Sequence, residues 1–148
     1  MYVSQLTMSS LPNVEIVSLL IIITARQFGV KAFYSVYVFV FCEIMTYGLS
    51  MWVINYLYVW AVLCIAVVLV RRIDSVILYT LLAALFGLLF GTLCSVPYFF
   101  IGGISTGIGY IAGGIVFDLL HFAGNGVSVF LLYKPLTKAV RKLCKPFN

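Results

Sequence analysis

The chain has 148 residues, of which 64% are hydrophobic and 9% are charged. A soluble domain has about 45–50% apolar and about 25% charged residues, so these few charges cannot cover a soluble surface. The composition therefore predicts one integral membrane domain, residues 1–148. The apolar runs are long and continuous and lack the alternation of barrel strands, which favours an all-α membrane protein.

The net charge of +5 does not indicate a nucleic-acid partner. The basic residues stand between the apolar runs and in a tail at about residues 134–148, as the positive-inside rule predicts for cytoplasmic segments of a protein in a lipid bilayer. The four cysteines are far apart in the sequence, so they predict neither a disulfide framework nor a metal site. We expect no cofactor.

Six apolar segments predict a six-transmembrane-helix bundle. The first, residues 1–10, is shorter than the ~20 residues that span a bilayer, and we interpret it as the outer end of a first helix truncated at its N-terminus. The other five are predicted at about residues 14–28, 32–48, 49–70, 75–95 and 115–133. In the fifth, Gly87 and Gly91 have the small-xxx-small spacing that lets two helices approach closely.

The stretch between the fifth and sixth segments is rich in glycine. Pro97 and the glycines between residues 102 and 114 oppose a stable isolated helix. We therefore interpret residues 95–114 as a long connection, folded partly back over the bundle. The basic tail is expected to continue the last helix out of the membrane.

Charge predicts the orientation of the bundle. Six alternating spans place all nine Lys and Arg residues on one side, which the positive-inside rule assigns to the cytoplasm, with both termini of the full-length form. Glu15, Glu43 and Asp118 then fall in the outer half, with Glu43 roughly 7 Å deep at 1.5 Å per residue. An ionisable side chain inside a bilayer costs about 2.5–3.5 kcal/mol on insertion scales, so these acids are candidate functional groups.

The last segment carries one polar stripe. At about 100° per residue, Asp118, His121 and Asn125 fall within roughly 60° of one another on a helix. Aromatic walls around a few polar groups are typical of a small-molecule site. The residues predicted to bind substrate are Asn13, Glu15, Glu43, Tyr47, Trp52, Asn55, Tyr58, Asp118, His121 and Asn125.

Structural interpretations of the same residues remain open. Asp118 and His121 are one turn apart and could pair with each other, while Glu15 could serve only the start of a helix. Asn125 could bridge two helices, and the aromatic residues could form an interface belt. No enzymatic activity is expected, because a metal site needs three or four ligands, the chain has one His, and no Ser is placed beside it.

Five stretches carry a resemblance to a known family. They are SLPNVEIVSLLI, INYLYVW, LFGLLFGTLCSVPYFFIGG, FDLLHFAGN and GVSVFLLYKPL. Together, from about residue 11 to residue 142, they resemble the substrate-binding (S) components of energy-coupling factor transporters. The resemblance implies six transmembrane helices in a bacterial plasma membrane and an outward-facing vitamin site. It also implies a transmembrane coupling subunit and two ABC-type ATPases as partners.

By position, the resemblance places the loop 11–15, Trp52, Asn55, the glycine-rich connection and the polar stripe around the substrate. The chain departs from the family at its start, where residues 1–10 lack the Ala-xxx-Ala pattern that contacts the coupling subunit. The outer acids favour a neutral heterocyclic or cationic substrate, such as a thiamine-like, pyrimidine or cobalamin-related compound. The basic tail is expected to bind anionic headgroups or the coupling subunit.

Two other functions remain open. One is a stand-alone proton- or cation-coupled carrier, in which Glu43 and Asp118 relay the ion. The other is a structural membrane subunit, in which the polar stripe only fixes the register of the helices.

Overall fold

The fold is helical, with no strand among residues 1–8 and 16–144, which this computed structural model describes. The helices are α1 (Tyr2–Met8), α2 (Val17–Phe28), α3 (Ala32–Tyr47), α4 (Met51–Val70), α5 (Val76–Leu88), α6 (Phe90–Cys94) and α7 (Val96–Leu143). The stretches Val17–Tyr47, Met51–Val70 and Val96–Leu143 are long and apolar enough to cross a membrane, and Val76–Leu88 is a shorter apolar helix. The all-α prediction is confirmed, and the helices are compatible with a multi-pass membrane protein.

The chain reverses between α2 and α3 at Gly29. Its φ of 61° lies in the left-handed region that favours glycine, and a single 3₁₀ turn, Gly29–Lys31, follows. Leu20 of α2 and Cys42 of α3 line one cavity. About 22 residues of straight helix would hold these two side chains roughly 33 Å apart, so the two helices form a hairpin.

A second and longer hairpin consists of α5, α6 and α7, with Gly103 at its tip. Gly103 interrupts α7 with a φ of 75° and a ψ of −174°. Aromatic pairs join the two arms at increasing distance from the tip: Tyr98 with Tyr110 at 4.3 Å, Phe90 with His121 at 5.1 Å and Tyr79 with Tyr133 at 5.1 Å between ring centroids. The arms are therefore antiparallel along most of their length.

The prediction that residues 95–114 form a connection over the bundle is wrong. Apart from Ser95 and the break at Gly103, these residues are helical, and the last helix extends to Leu143, as predicted for the start of the tail. Packing outweighs the weak helix propensity of glycine: a Cβ on Gly107 would lie 2.5 Å from the ring of Phe99, so the small residue makes room for the opposite arm. The fifth predicted segment also differs, because Leu89 divides it into α5 and α6.

The two arms approach most closely at glycine. A Cβ on Gly87 would lie 2.6 Å from the carbonyl carbon and oxygen of His121, and a Cβ on Gly91 would lie 2.6 Å from Oδ2 of Asp118. Any larger residue at either position would overlap the opposite arm. The close approach predicted from the spacing of these two glycines is confirmed.

The described basic side chains gather at one end of the bundle, which we call the basic end. Arg26 at the end of α2 pairs with Asp74, with 2.6 Å between Nη2 and Oδ1. The guanidinium of Arg71 lies against Gly29, and the basic residues of α7 share a cavity with Arg26. The turn between α3 and α4 forms the opposite end, and the apolar core lies between α2, α3, α4 and the long hairpin.

Gly87→Ala is expected to lower the free energy of unfolding by about 1–3 kcal/mol, because the methyl group would overlap backbone atoms of His121. Gly126→Ala is the matched control in the same hairpin, since its Cβ would lie 3.5 Å from Cβ of Ala84, an ordinary contact. The control should be neutral or stabilising by less than about 1 kcal/mol. Thermal unfolding of both purified variants in one detergent measures the difference, and equal stabilities would contradict the close approach.

Candidate functional site

Two side chains of the polar stripe of α7, Asp118 and His121, contact the opposite arm of the long hairpin. Asp118 and Asn125 are buried, with 6% and 3% of their surfaces exposed, and His121 is half-buried. The shared face predicted from their spacing is confirmed. Toward the tip, Gly107 and Gly114 continue the same face at helical spacing.

A groove of about 450 Å³ runs along α7 on the tip side of His121. This volume lies within the range of about 300–1,000 Å³ that small-molecule sites occupy. The groove, which we call the Asp118 groove, is lined by Phe90, Gly91, Gly109, Tyr110, Gly113, Gly114, Phe117, Asp118 and His121.

A break in the opposite arm determines the position of Asp118. Leu89 separates α5 from α6, and the first N–H groups of a helix have no acceptor within it. Gly91 in the first turn of α6 donates its N–H to Oδ1 of Asp118 at 2.8 Å. The carboxylate is thus held against the opposite backbone and also borders the groove.

His121 is oriented by its own helix and by one aromatic ring. Its Nδ1 lies 3.0 Å from the carbonyl oxygen of Phe117, and since a carbonyl only accepts, Nδ1 carries the proton. Nε2 of the neutral ring is then an acceptor. The ring stacks on Phe90, with an angle of 25° between the planes. No hydrogen bond or ion pair joins Asp118 to His121 among the described residues, so a pairing of the two through longer-range electrostatic attraction stays a prediction.

Asp118 lies farther from the start of its helix than the sequence predicted. At 1.5 Å per residue it is roughly 22 Å from the tip at Gly103 and roughly 22 Å from Tyr133 at the basic end. It was expected near the outer end of a helix beginning at about residue 115. The helical residues 104–114 lengthen the arm beyond that point and place the carboxylate midway along the hairpin.

Glu43 lies apart from the groove, on α3. Its side chain is fully buried, and Nε2 of Gln5 donates to Oε2 at 3.4 Å. Within the described part of the chain, Oε1 has no hydrogen-bond partner. Asn13 and Glu15 lie outside the described residues.

The remaining predicted residues pack against one another or against backbone. The Tyr58 hydroxyl donates to the carbonyl of Leu93 at 2.6 Å and lies 3.1 Å from Oδ1 of Asn55. Tyr47 and Trp52 meet edge to face, with their ring centroids 5.5 Å apart. None of these four side chains lines the Asp118 groove, so the structure brings together only Asp118 and His121 there. A role for the others in binding stays a prediction.

The resemblance placed the glycine-rich stretch around the substrate, but the residues themselves did not identify Phe90, Tyr110 or Phe117 as lining. Tyr110, Gly109 and Gly113 fall in the stretch interpreted as a connection. A signal for them was present, since the spacing of Gly107, Ile111 and Gly114 continues that of Asp118 and its stripe. This helical spacing was overlooked because the high glycine content indicated a connection instead of a helix.

The groove offers hydrogen bonding, charge and stacking. It contains one carboxylate, one imidazole and the phenol of Tyr110, with the rings of Phe90 and Phe117 beside them. Such groups can hold a planar ligand by stacking and neutralise a cation. Among the described residues, 1–8 and 16–144, there is no group of three or more His, Cys, Asp or Glu side chains that could hold a metal ion.

Asp118→Ala is expected to lower the free energy of unfolding by about 1–3 kcal/mol, because the buried N–H of Gly91 loses its acceptor. Asp118→Asn retains an oxygen that can accept this bond, so we expect less than half of that loss. Thermal unfolding of the two variants without ligand measures both effects. Equal destabilisation by the two substitutions would contradict a role for the hydrogen bond.

Comparison with known proteins provides no family for the chain. No protein-family model, no curated protein and no solved structure matches it. The function of the Asp118 groove must therefore be argued from the residues that form it.

Proposed function

We propose that the protein is the substrate-binding component of an energy-coupling factor importer and captures a vitamin or related micronutrient in the Asp118 groove. The observation that carries the proposal is a buried carboxylate beside a half-buried imidazole in an apolar bundle. Asp118 has no ionic partner among the described residues. A group so costly in a membrane usually serves a ligand or an ion path. The resemblance to S components supports the same function.

The proposal includes an orientation. With the basic end in the cytoplasm of a bacterial cell, the positive-inside rule is satisfied and the hairpin tip points outward. The six proposed passes are then a truncated first pass that contains α1, followed by α2, α3, α4, residues 76–102 and residues 104–143. From residue 104 to 133 the last pass is about 45 Å long, more than the ~30 Å hydrocarbon core, so its tip would reach the outer interface.

The groove favours a planar ligand that is neutral or positively charged. Among the residues that line the groove, Asp118 is the only acid, and His121 is the only other ionisable group besides the Tyr110 phenol. A Cβ on Gly109 or Gly113 would meet open space, so these residues leave a flat surface along the groove. The volume of about 450 Å³ favours a thiamine-like or pyrimidine compound over the larger cobalamin-related compounds. Transport would require a coupling subunit and two ABC-type ATPases, as in S components.

Thermal unfolding of the purified protein with a panel of vitamins and their precursors tests ligand capture. A ligand at about 100 times its Kd should stabilise the protein by about 2.7 kcal/mol. His121→Ala should weaken binding at least tenfold, whereas Leu119→Ala, which removes an exposed side chain next to the stripe, should not. A folded protein that no compound stabilises would contradict the proposal.

A stand-alone proton- or cation-coupled carrier is the second candidate. It is favoured by Glu43, whose fully buried carboxyl has one long hydrogen bond from Gln5. Uptake by cells that express this chain with and without a coupling subunit and ATPases separates the two functions. Uptake that requires the ATPases supports the S component, and uptake without them that Glu43→Gln abolishes supports the carrier.

A further inference from the structure

A second cavity, of about 670 Å³, lies at the basic end between α2, α5 and the last turns of α7. We call it the basic cavity. Its lining combines five basic side chains with a single acid and three uncharged residues. They are Arg26, Lys134, Lys138, Arg141, Lys142, Asp74, Val76, Tyr133 and Thr137.

Arg26 is fixed in the wall of the basic cavity. Its side chain is 10% exposed, and its guanidinium lies 5.7 Å from the ring centroids of both Tyr79 and Tyr133. The two rings stack on each other at 5.1 Å. Asp74 pairs with Arg26 but is 67% exposed, and one acid leaves most of the positive charge of the cavity unbalanced.

The cavity also holds buried polar groups without partners. Tyr133 is 2% exposed, and its hydroxyl has no hydrogen-bond partner among the described residues. The same holds for Oγ1 of Thr137 and Nε of Arg26. The neighbouring Tyr79 differs, because its hydroxyl donates to the carbonyl of Ile73 at 3.1 Å. All three atoms are closed to solvent here, so a ligand would reach them after small side-chain rotations. Unpartnered donors beside a positive cavity favour a ligand with several acceptor oxygens.

We propose that the basic cavity binds a phosphate group, as a monoester or a diester. The non-bridging oxygens would accept hydrogen bonds from the Tyr133 and Thr137 hydroxyls and from Arg26, while the lysines and Arg141 neutralise the charge. The positive-inside rule accounts for the lysines, but not for uncharged donors buried beside them. The phosphate could belong to an anionic lipid headgroup or to a water-soluble compound. The proposal does not depend on the transport function.

Native mass spectrometry of the full chain with phosphatidylglycerol and phosphatidylcholine tests the site. We expect one tightly retained phosphatidylglycerol and at least tenfold weaker retention of phosphatidylcholine, whose headgroup carries a compensating positive charge. Tyr133→Phe and Thr137→Val should each weaken binding of phosphatidylglycerol about threefold to tenfold without changing the net charge. Both variants should remain as stable as the parent chain without lipid, because each removes a hydroxyl that has no partner.

A charge-matched pair of double variants separates a built site from general attraction to anions. Lys138→Ala with Lys142→Ala should weaken phosphatidylglycerol binding at least tenfold. Lys31→Ala with Arg72→Ala removes the same charge from the basic end outside the cavity, and should change binding less than twofold. Equal losses in the two double variants, with no effect of Tyr133→Phe, would overturn the proposal.

Two soluble probes identify the source of the phosphate. If inorganic phosphate or glycerol 3-phosphate stabilises the protein and displaces phosphatidylglycerol, the site takes soluble phosphate compounds. If phosphatidylglycerol alone binds, the site takes a lipid headgroup. A glutamate-rich peptide that binds more tightly than every phosphate probe would overturn the proposal and assign the cavity to an acidic protein segment.

Discussion

The hydrogen bond from the Gly91 N–H to Asp118, made where two helices touch through glycine, is the contact on which the long hairpin depends. It satisfies a backbone donor that the break at Leu89 leaves without a helical acceptor. It also holds an acid that the apolar surroundings would otherwise disfavour. This contact fixes how the two arms are aligned. His121 therefore stacks on Phe90, and Tyr133 stacks on Tyr79 farther along the hairpin.

The hairpin also separates the polar chemistry of the bundle into two sites of opposite character. The Asp118 groove presents one carboxylate beside one imidazole and has no Lys or Arg in its lining, and the basic cavity presents five Lys and Arg side chains with one acid. On α7 the two sites are about 15 residues, or roughly 22 Å, apart. Within the long hairpin the charged side chains gather at two positions along one helix pair, whereas the buried Glu43 of α3 and Asn55 of α4 lie outside both sites.

Aromatic packing connects the groove to the rest of the bundle. Trp60 of α4 lies 5.6 Å from Phe90, which also stacks on His121, and Tyr56 continues the row along α4. Contacts of this kind have preferred geometries and keep the rings in place. The aromatic residues near the start of α4 therefore act as a rigid support beside the groove, and a direct role for them in binding stays a prediction.

The sequence by itself determined the class of the protein, most of the helices, the clustering of basic charge and the shared face of Asp118, His121 and Asn125. Each follows from composition or from helical spacing, which are properties of neighbouring residues. Only the tertiary structure decided that residues 104–114 are helical, that Asp118 bonds to Gly91, and that Arg26 joins Tyr79 and Tyr133. Those outcomes depend on packing between segments distant in sequence, where a contact can outweigh the local preference of glycine for turns.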